Sequence, residues 1–445
     1  MDTNDTIFAL ATAPGRAGVA VFRISGPAAA AALTTVTGLK TPPSARRAIR
    51  CRMVEPLSGE VLDDGLAIWF SAPASFTGED VAELHVHGGR ATVDAVASVL
   101  GSLPAMRIAE PGEFTKRAFL SGKIDLTAAE AIADLVDADT DAQRRQALAQ
   151  LGGGLSTLLE AWRTELVDIL AHGEAWIDFP EEDLPAEIEG SSKARVNQLA
   201  GEIKIFLDDN RRGERLREGF YVAILGAPNA GKSSLLNALA AREVSIVSDT
   251  EGTTRDVIEV HLDLGGWPVT LADTAGLRKT ADTVEQEGVR RALDRADRAD
   301  LRLILFDSTI APDRTSLDFL TRPNSLAVLT KIDLGEKNEP GVLLKGAVAV
   351  SIKSGEGLSN LLGQLEERAA GLMDGAGDNA PLTRLRHRIA LSECVDALTR
   401  AAATHESELF VEDLRFAARA LGRVTGRVDI EDLLDVIFSD FCIGK

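Results

Sequence analysis

The sequence predicts a chain of α/β and α class: an N-terminal α/β unit, a helical domain in two pieces, and an inserted P-loop α/β domain with a mostly parallel sheet. Three observations predict it. Short β-branched runs bounded by glycine and proline fill residues 1–120. Apolar residues recur at helical spacing before residue 216 and again after residue 372. Between them, Tyr221-Val-Ala-Ile-Leu-Gly-Ala-Pro-Asn-Ala-Gly-Lys-Ser-Ser-Leu-Leu-Asn237 reads as strand, glycine-bearing loop and helix, and alternating strand and helix patterns follow it.

Taken in order, Val19-Ala-Val-Phe-Arg-Ile24 is flanked by Gly15, Gly18 and Gly26-Pro27, which makes it a strand between turns. Ala28 to Val36 is alanine-rich and helical. Leu66 to Phe70 and Val81 to His87 are further strands, the second stopped by Gly88-Gly89 before a helix through Val93, Val96, Val99 and Leu100. His85 and His87 share a strand face, but no cysteine or third histidine accompanies them nearby, so packing or hydrogen bonding outweighs a metal. Leu155, Leu158, Leu159, Trp162, Leu166, Ile169 and Leu170 fall on one helix face and read as a core stripe. Gly152-Gly-Gly154 marks either a break or a close helix crossing. Arg211, Arg212, Arg215 and Arg217 read as a solvated linker ahead of an RNA-facing patch.

Beyond the P-loop, strand ends fall at Thr270 to Gly276, Leu301 to Asp307, Leu326 to Thr330 and Val348 to Val350. Leu358 to Glu367 is the last helix of that domain, Gly371 to Gly377 is a linker, and Leu382 to Phe441 is helical again. The expected domains are therefore 1–120, 121–216 with 372–445, and 217–371, with the two helical pieces packed together.

The 48 basic against 68 acidic residues leave a net charge of −20, so any nucleic-acid contact must be local or shared with a partner. Cys51, Cys394 and Cys442 are far apart and odd in number, which fits reduced thiols and offers no zinc spacing. The first twenty residues lack a basic start and a continuous apolar run, and no stretch of about 18 apolar residues occurs. A cytoplasmic protein with no membrane association is the expectation.

The loop from Gly226 to Gly231 turns backbone N–H groups toward a phosphate; Lys232 reaches the outer phosphates and the Ser233 hydroxyl suits Mg2+. Asn229, Ala230, Gly231 and Ser234 complete that contact. Asp273-Thr274-Ala275-Gly276 follows a strand, where the carboxylate holds the Mg2+ shell through water and the Gly276 N–H meets the terminal phosphate. Thr330-Lys331-Ile-Asp333 puts a carboxylate against the N–H edge of guanine, so GTP is favoured over ATP; Ser351, Ile352 and Lys353 stand where a second guanine contact is common. Thr330 occupies a position usually held by Asn, and its hydroxyl can still bridge loops. Leu277 stands where Ras-type enzymes place a water-orienting Gln, so another group must orient the water, with Asp282, Glu285 and Glu287 nearby. Asn229 and the oxygens of Ser248-Asp249-Thr250-Glu251-Gly252-Thr253-Thr254 suit a monovalent cation that offsets developing charge.

From end to end the chain resembles the MnmE (TrmE) tRNA-modification GTPases. The resemblance rests on Ala13-Pro-Gly-Arg-Ala-Gly18, Phe76-Thr-Gly-Glu-Asp80, Glu110-Pro-Gly-Glu-Phe-Thr-Lys-Arg-Ala-Phe119, Asp125-Leu-Thr-Ala-Ala-Glu-Ala-Ile132, Gly252-Thr-Thr-Arg-Asp256 and Cys442-Ile-Gly-Lys445. It implies an N-terminal folate-binding domain that forms a homodimer, a helical domain split by a Ras-like G domain, and GTP hydrolysis activated by K+ as two G domains meet. Carried over, Asn229, Ser248, Thr250 and Thr253 would hold K+, Ser233 and Thr254 would hold Mg2+, and Glu285 would position the attacking water, with Lys232 and Asp273 also in the catalytic set. Arg23, Glu83, Lys123 and Lys445 would build the pocket for 5-formyl- or methylene-tetrahydrofolate. Cys442 would sit there too, its chemistry undefined. The resemblance further implies a flavoprotein partner, MnmG, in a heterotetramer or larger assembly, with FAD and NADH mainly on that partner. The product would be an aminomethyl or carboxymethylaminomethyl group on the wobble uridine of certain tRNAs. Thr330 and Ile352 depart from the family pattern. A ribosome-assembly GTPase is the alternative, but it would carry a basic RNA-binding module, and none is apparent.

If the Asn229 set takes a large, weakly hydrated ion, GTP turnover will be faster in KCl than in NaCl, and Asn229→Ala will abolish the difference. Equal steady-state rates in the two salts for the unmodified chain would contradict the assignment.

Overall fold

The computed structural model describes residues 5–178, 186–242, 244–246, 259–273, 297–335, 344, 346–375, 381–428, 434, 437–438, 441 and 444. The chain is of mixed α/β and α class and divides into two compact units, one of residues 1–133 with 418–445, the other of residues 134–417.

The first unit is built on a six-stranded sheet: β1 (Thr6–Leu10), β2 (Ala17–Ser25), β3 (Ile49–Val54), β4 (Val61–Phe70), β5 (Val81–Gly88) and β6 (Met106–Ile108). The spatial order is β3-β4-β5-β2-β1-β6, antiparallel except for the β1–β6 pair. One face carries Phe22, Ile24, Cys51, Met53, Ala67, Trp69 and Leu84, all buried under the helices Ala29–Thr37 and Arg90–Ser102. Both helices enter this core through residues at helical spacing, Ala29, Leu33 and Val36 on one and Val96, Val99 and Leu100 on the other. Strands β1, β3 and β6 escape a sequence reading because they are short or, like Ile49-Arg-Cys-Arg-Met-Val54, carry charge at every exposed position of an edge.

Each of the paired histidines has a carboxylate partner. His87 Nδ1 lies 2.8 Å from Asp63 Oδ1, and His85 Nε2 lies 3.4 Å from Glu83 Oε2. Among the described residues no group of three metal-binding side chains occurs. Later in this unit, Leu126, Ala129, Leu434, Phe438 and Phe441 close a separate core, and the buried Gly444 lies so close to Leu10 that a β-carbon there would meet its carbonyl at 2.4 Å. Gly444 therefore packs against the end of β1.

The second unit holds a seven-stranded sheet of β7 (Phe220–Gly226), β8 (Ser245–Ile246), β9 (Glu259–Leu264), β10 (Trp267–Asp273), β11 (Leu301–Asp307), β12 (Ser325–Thr330) and β13 (Val348–Ala349). Its order is β13-β12-β11-β7-β10-β9-β8, parallel from β13 to β10. Helices cover both faces. Lys232–Ala240 and Leu358–Met373 bury Leu235, Leu239, Leu361 and Leu365 on one, and Arg314–Leu320 packs Leu317 and Leu320 on the other. Strand β9 is not among the expected elements, although Val260, Leu262 and Leu264 alternate with polar residues as a half-buried strand should. The helix Leu358–Met373 runs into the stretch expected as linker.

In the helical part, Thr140 and Gln143 form a capping box at the start of Asp141–Leu151. Gly152 and Gly153 make a break, Gly153 at φ +85°. The stripe on Gly154–Asp178 is buried at Leu155, Leu159, Trp162, Leu166 and Ile169, and Trp162 meets Phe206 of Ala186–Leu207 edge-on at 5.4 Å. The helix Leu385–Ala403 packs on Ala186–Leu207, so helical pieces on either side of the inserted strands do meet.

The expected solvated linker is instead the short helix Arg212–Glu218. Arg215 pairs with Asp300 at 2.8 Å, Arg217 with Asp134 at 2.9 Å, and Arg211 with the buried Glu214, which Arg388 also reaches at 3.0 Å. Sequence neighbours show only the four cations, because most of their carboxylates arrive from other parts of the chain. No described helix is long and apolar enough to cross a membrane.

Leu271, fully buried in β10 within the core of this sheet, predicts the cost of disturbing it. Leu271→Ala should lower stability by about 2–5 kcal/mol, read as an earlier denaturant midpoint of the transition that GDP shifts upward.

Candidate functional site: a phosphate loop at the head of a parallel sheet

Strand β7 is the centre of its sheet, with β10 on one side and β11 on the other, and the loop that leaves its carboxyl end opens into the crevice where such sheets bind ligands. Gly226 turns the chain at φ +143°, where a β-carbon would lie 2.5 Å from the Leu305 carbonyl; Gly231 follows at φ +97° and caps the helix Lys232–Ala240. Asn229 is also left-handed, at φ +64°, and exposed.

Lys232 is buried, and its ammonium donates to the carbonyls of Gly226 at 2.7 Å and Ala227 at 2.9 Å. Burial pushes its pKa down, against the opposing charge of Asp273. Ser233 Oγ donates to Asp273 Oδ2 at 2.9 Å, which joins the first residues of the P-loop helix to the end of β10. A hydroxyl and a carboxylate are oxygen donors of the kind Mg2+ takes.

The base side of the crevice is equally assembled. Thr330, fully buried, donates its hydroxyl to the Ala230 carbonyl at 2.8 Å and approaches the Phe306 carbonyl at 3.1 Å, so it ties β12 to the P-loop. Asp333 accepts from Ser351 Oγ at 2.8 Å, and Ile352 lies 3.5 Å from where a Gly231 β-carbon would be. Lys331, at φ +59°, pairs with Asp307 at 2.6 Å; Asp307 is not among the sequence-predicted site residues, although it ends a strand directly beside Thr330. Ser234 and Lys353 are exposed, and Ala230 is buried. Ser248, Asp249, Thr250, Glu251, Gly252, Thr253, Thr254, Thr274, Ala275, Gly276, Leu277, Asp282, Glu285 and Glu287 lie outside the described residues, as do Cys442 and Lys445.

A second cluster stands in the other unit. Arg23 on β2 pairs with Glu83 on β5 at 3.0 Å, and its guanidinium carbon sits 5.7 Å from the Phe76 ring centre and 5.8 Å from that of Phe114. Sequence reasoning misses the aromatic pair as site residues, although both lie in sequence blocks that mark the resemblance. Those blocks meet in a buried ion network. Glu113 binds Arg107 and Arg117; Arg117 reaches Glu79, which accepts from Ser25 at 2.7 Å, and Ser25 shares a 2.7 Å hydrogen bond with Thr77. Burial alone would raise Glu113, but the guanidinium groups of Arg107 and Arg117 hold its carboxyl below the usual range. Lys123 donates to the Pro73 carbonyl at 2.9 Å, and no described contact joins it to Arg23 or Glu83.

Residues 6–123 match the family model described as GTP-binding protein TrmE N-terminus, and residues 126–442 match that of the MnmE helical domain. The chain belongs to the MnmE family of tRNA modification GTPases. The tRNA modification GTPase MnmE of Paramagnetospirillum magneticum is 56% identical over 99% of this chain and 100% of its own length. That of Rhodospirillum rubrum is also 56% identical, over the whole of both chains. The G domain of the T. maritima FeoB iron transporter is 28% identical over 34% of this chain and 97% of its own, at a TM-score of 0.26. This MnmE chain is accordingly a tRNA modification GTPase, and it carries the P-loop described above.

Thr330→Val keeps the shape but removes the hydroxyl proton that the Ala230 carbonyl takes. A loss of about 1–3 kcal/mol in nucleotide binding, roughly 5- to 150-fold, is expected in fluorescent GDP titrations. Unchanged affinity would show that the tie is dispensable.

Proposed function

We propose that this MnmE chain is a K+-activated GTPase that acts as a homodimer with the flavoprotein MnmG on tRNA. In this reading it installs aminomethyl or carboxymethylaminomethyl groups at the wobble uridine from a tetrahydrofolate one-carbon unit. The observation that carries the reading is that one chain holds both a P-loop crevice joined by Ser233 and Asp273 and a separate cationic cradle, Arg23 with Glu83 between Phe76 and Phe114. A GTPase switch alone has no use for the second. The proposed division into 1–120, 121–216 with 372–445, and 217–371 puts Arg23 and Glu83 in one domain and the P-loop in another, with Lys123 and Lys445 contributed by the helical domain.

In the crevice, Lys232 exchanges the carbonyls of its own loop for the β- and γ-phosphates, so its depressed pKa recovers as the anion arrives. Ser233 and Thr254 would hold Mg2+, whose charge would offset that on the phosphate oxygens, and Asp273 would anchor the surrounding water. Asn229, with oxygens from Ser248, Thr250 and Thr253, would hold K+. Since Leu277 cannot hydrogen-bond, Glu285 positions the attacking water. Asp333 and the Ser351-Ile352-Lys353 backbone read guanine.

In the cradle, Glu83 accepts from pterin N–H groups while Arg23, Lys123 and Lys445 supply positive charge for the carboxylate tail. Gly444 against Leu10 supports this reading of the C-terminus, since it brings the last residues to the unit that holds Arg23. Cys442 lies beside them in sequence. FAD and NADH belong to the partner, and the reading sets the enzyme in the cytoplasm.

A double dissociation tests the two-site reading. Glu285→Ala should slow GTP hydrolysis by roughly 100-fold with nucleotide binding intact, while Arg23→Ala weakens 5-formyl-tetrahydrofolate binding in calorimetry and leaves GTP turnover unchanged. Undiminished folate affinity in Arg23→Ala, or full turnover in Glu285→Ala, would remove the corresponding site.

A further inference from the structure

The face of the first sheet opposite its helices runs continuously from the Arg23 cradle to a bare cationic edge. Cross-strand partners put Arg23, Glu83 and Ile68 in one row, and Val21, His85, Leu66 and Arg50 in the next. Their neighbours Phe22, Leu84, Ala67 and Cys51 point into the helix-covered core, so the rows lie on the other face. Exposure rises along it. The Arg23 and Glu83 side chains are 24% and 16% exposed under Phe76 and Phe114, whereas Leu66 is 41% exposed and Arg50 80%.

The edge itself reverses the charge of the protein. From Lys40 to Arg52 the chain carries Lys40, Arg46, Arg47, Arg50 and Arg52 and no carboxylate, in a protein of net charge −20. All five are exposed. Arg46 is steadied by the Ala74 carbonyl at 2.7 Å, and Arg47 makes no ion pair among the described residues. Among the described residues Asp64 is the carboxylate paired with Arg50, at 2.9 Å in an exposed bidentate pair that a phosphate can replace, and it also stands opposite Arg52. An edge strand needs charge to resist pairing with another sheet, but either sign serves that purpose. A single-sign edge with an open apolar step at Leu66 fits a phosphodiester backbone whose unstacked base turns inward.

We propose that this edge and open face, led by Arg47, Arg50 and Arg52, bind the sugar-phosphate backbone of the substrate tRNA. Arg23 then lies three strand spacings away, about 14 Å, within reach of a base splayed from that backbone. The direction of the base rests on reading the Arg23 cradle as the one-carbon site; the backbone contact does not.

The test is fluorescence anisotropy of the full chain with a tRNA transcript across a KCl series. Arg47→Glu with Arg52→Glu should weaken binding at least about tenfold and flatten the slope of log affinity on log salt by about 0.7–0.9 for each phosphate that the variant no longer neutralises. Asp64→Asn, which frees Arg50, should tighten binding about two- to fivefold. GTP turnover should be unchanged in both. Unaltered affinity and salt slope in the double variant would overturn the proposal, as would Asp64→Asn binding no tighter than the unmodified chain. Loss of self-association by light scattering with tRNA affinity retained would also overturn it and assign the edge to contact between copies. Should Arg23→Ala leave folate binding intact, the one-carbon reading fails while the salt slopes still decide the backbone contact.

Discussion

An ammonium buried at the base of a loop must be surrounded by oxygen, and in this protein that requirement organises the nucleotide crevice. Lys232 takes its acceptors from Gly226 and Ala227, which forces the loop to fold back over the first turn of its own helix. The fold-back is possible only where the chain passes Leu305 without a β-carbon, at Gly226. Strands β10, β11 and β12 then bring Asp273, Asp307 and Thr330 to the same end of the sheet because parallel strands share a carboxyl end. Every side chain of the crevice depends on that shared direction.

The parts of the fold legible in the sequence are those whose signal is local. The P-loop strand and helix, β11 and β12 sit where their apolar runs place them, and Thr330 does bridge loops through its hydroxyl. The parts that are not legible depend on distant partners. Arg211, Arg215 and Arg217 look like a solvated run until Glu214, Asp300 and Asp134 are seen to meet them. Phe76 and Phe114 look like ordinary core aromatics until the sheet brings Arg23 between them. Strand β9 is a different case, since the alternation in Glu259-Val-His-Leu-Asp-Leu264 is itself a local strand signal, though a short one.

The two units handle charge in different ways. In the first, Arg107 and Arg117 hold the buried Glu113 and the half-buried Glu79 in one ion network beside the loop that bears Phe76. Such a network gives the cradle a rigid wall at modest gain in stability. In the second, arginines and carboxylates clasp the short helix that leads into β7, so the strand bearing the P-loop starts from a fixed point. Each site is thus backed by a frame of ion pairs within its own unit.

Thr330 has one proton and two carbonyls within reach, at 2.8 and 3.1 Å. A carboxamide has two protons and could hold both at once. With a single proton the hydroxyl serves one carbonyl at a time, so the side-chain tie from β12 to the P-loop is one hydrogen bond. Losing that tie would therefore be felt mainly in how fast a ligand leaves the loop rather than in how fast it arrives.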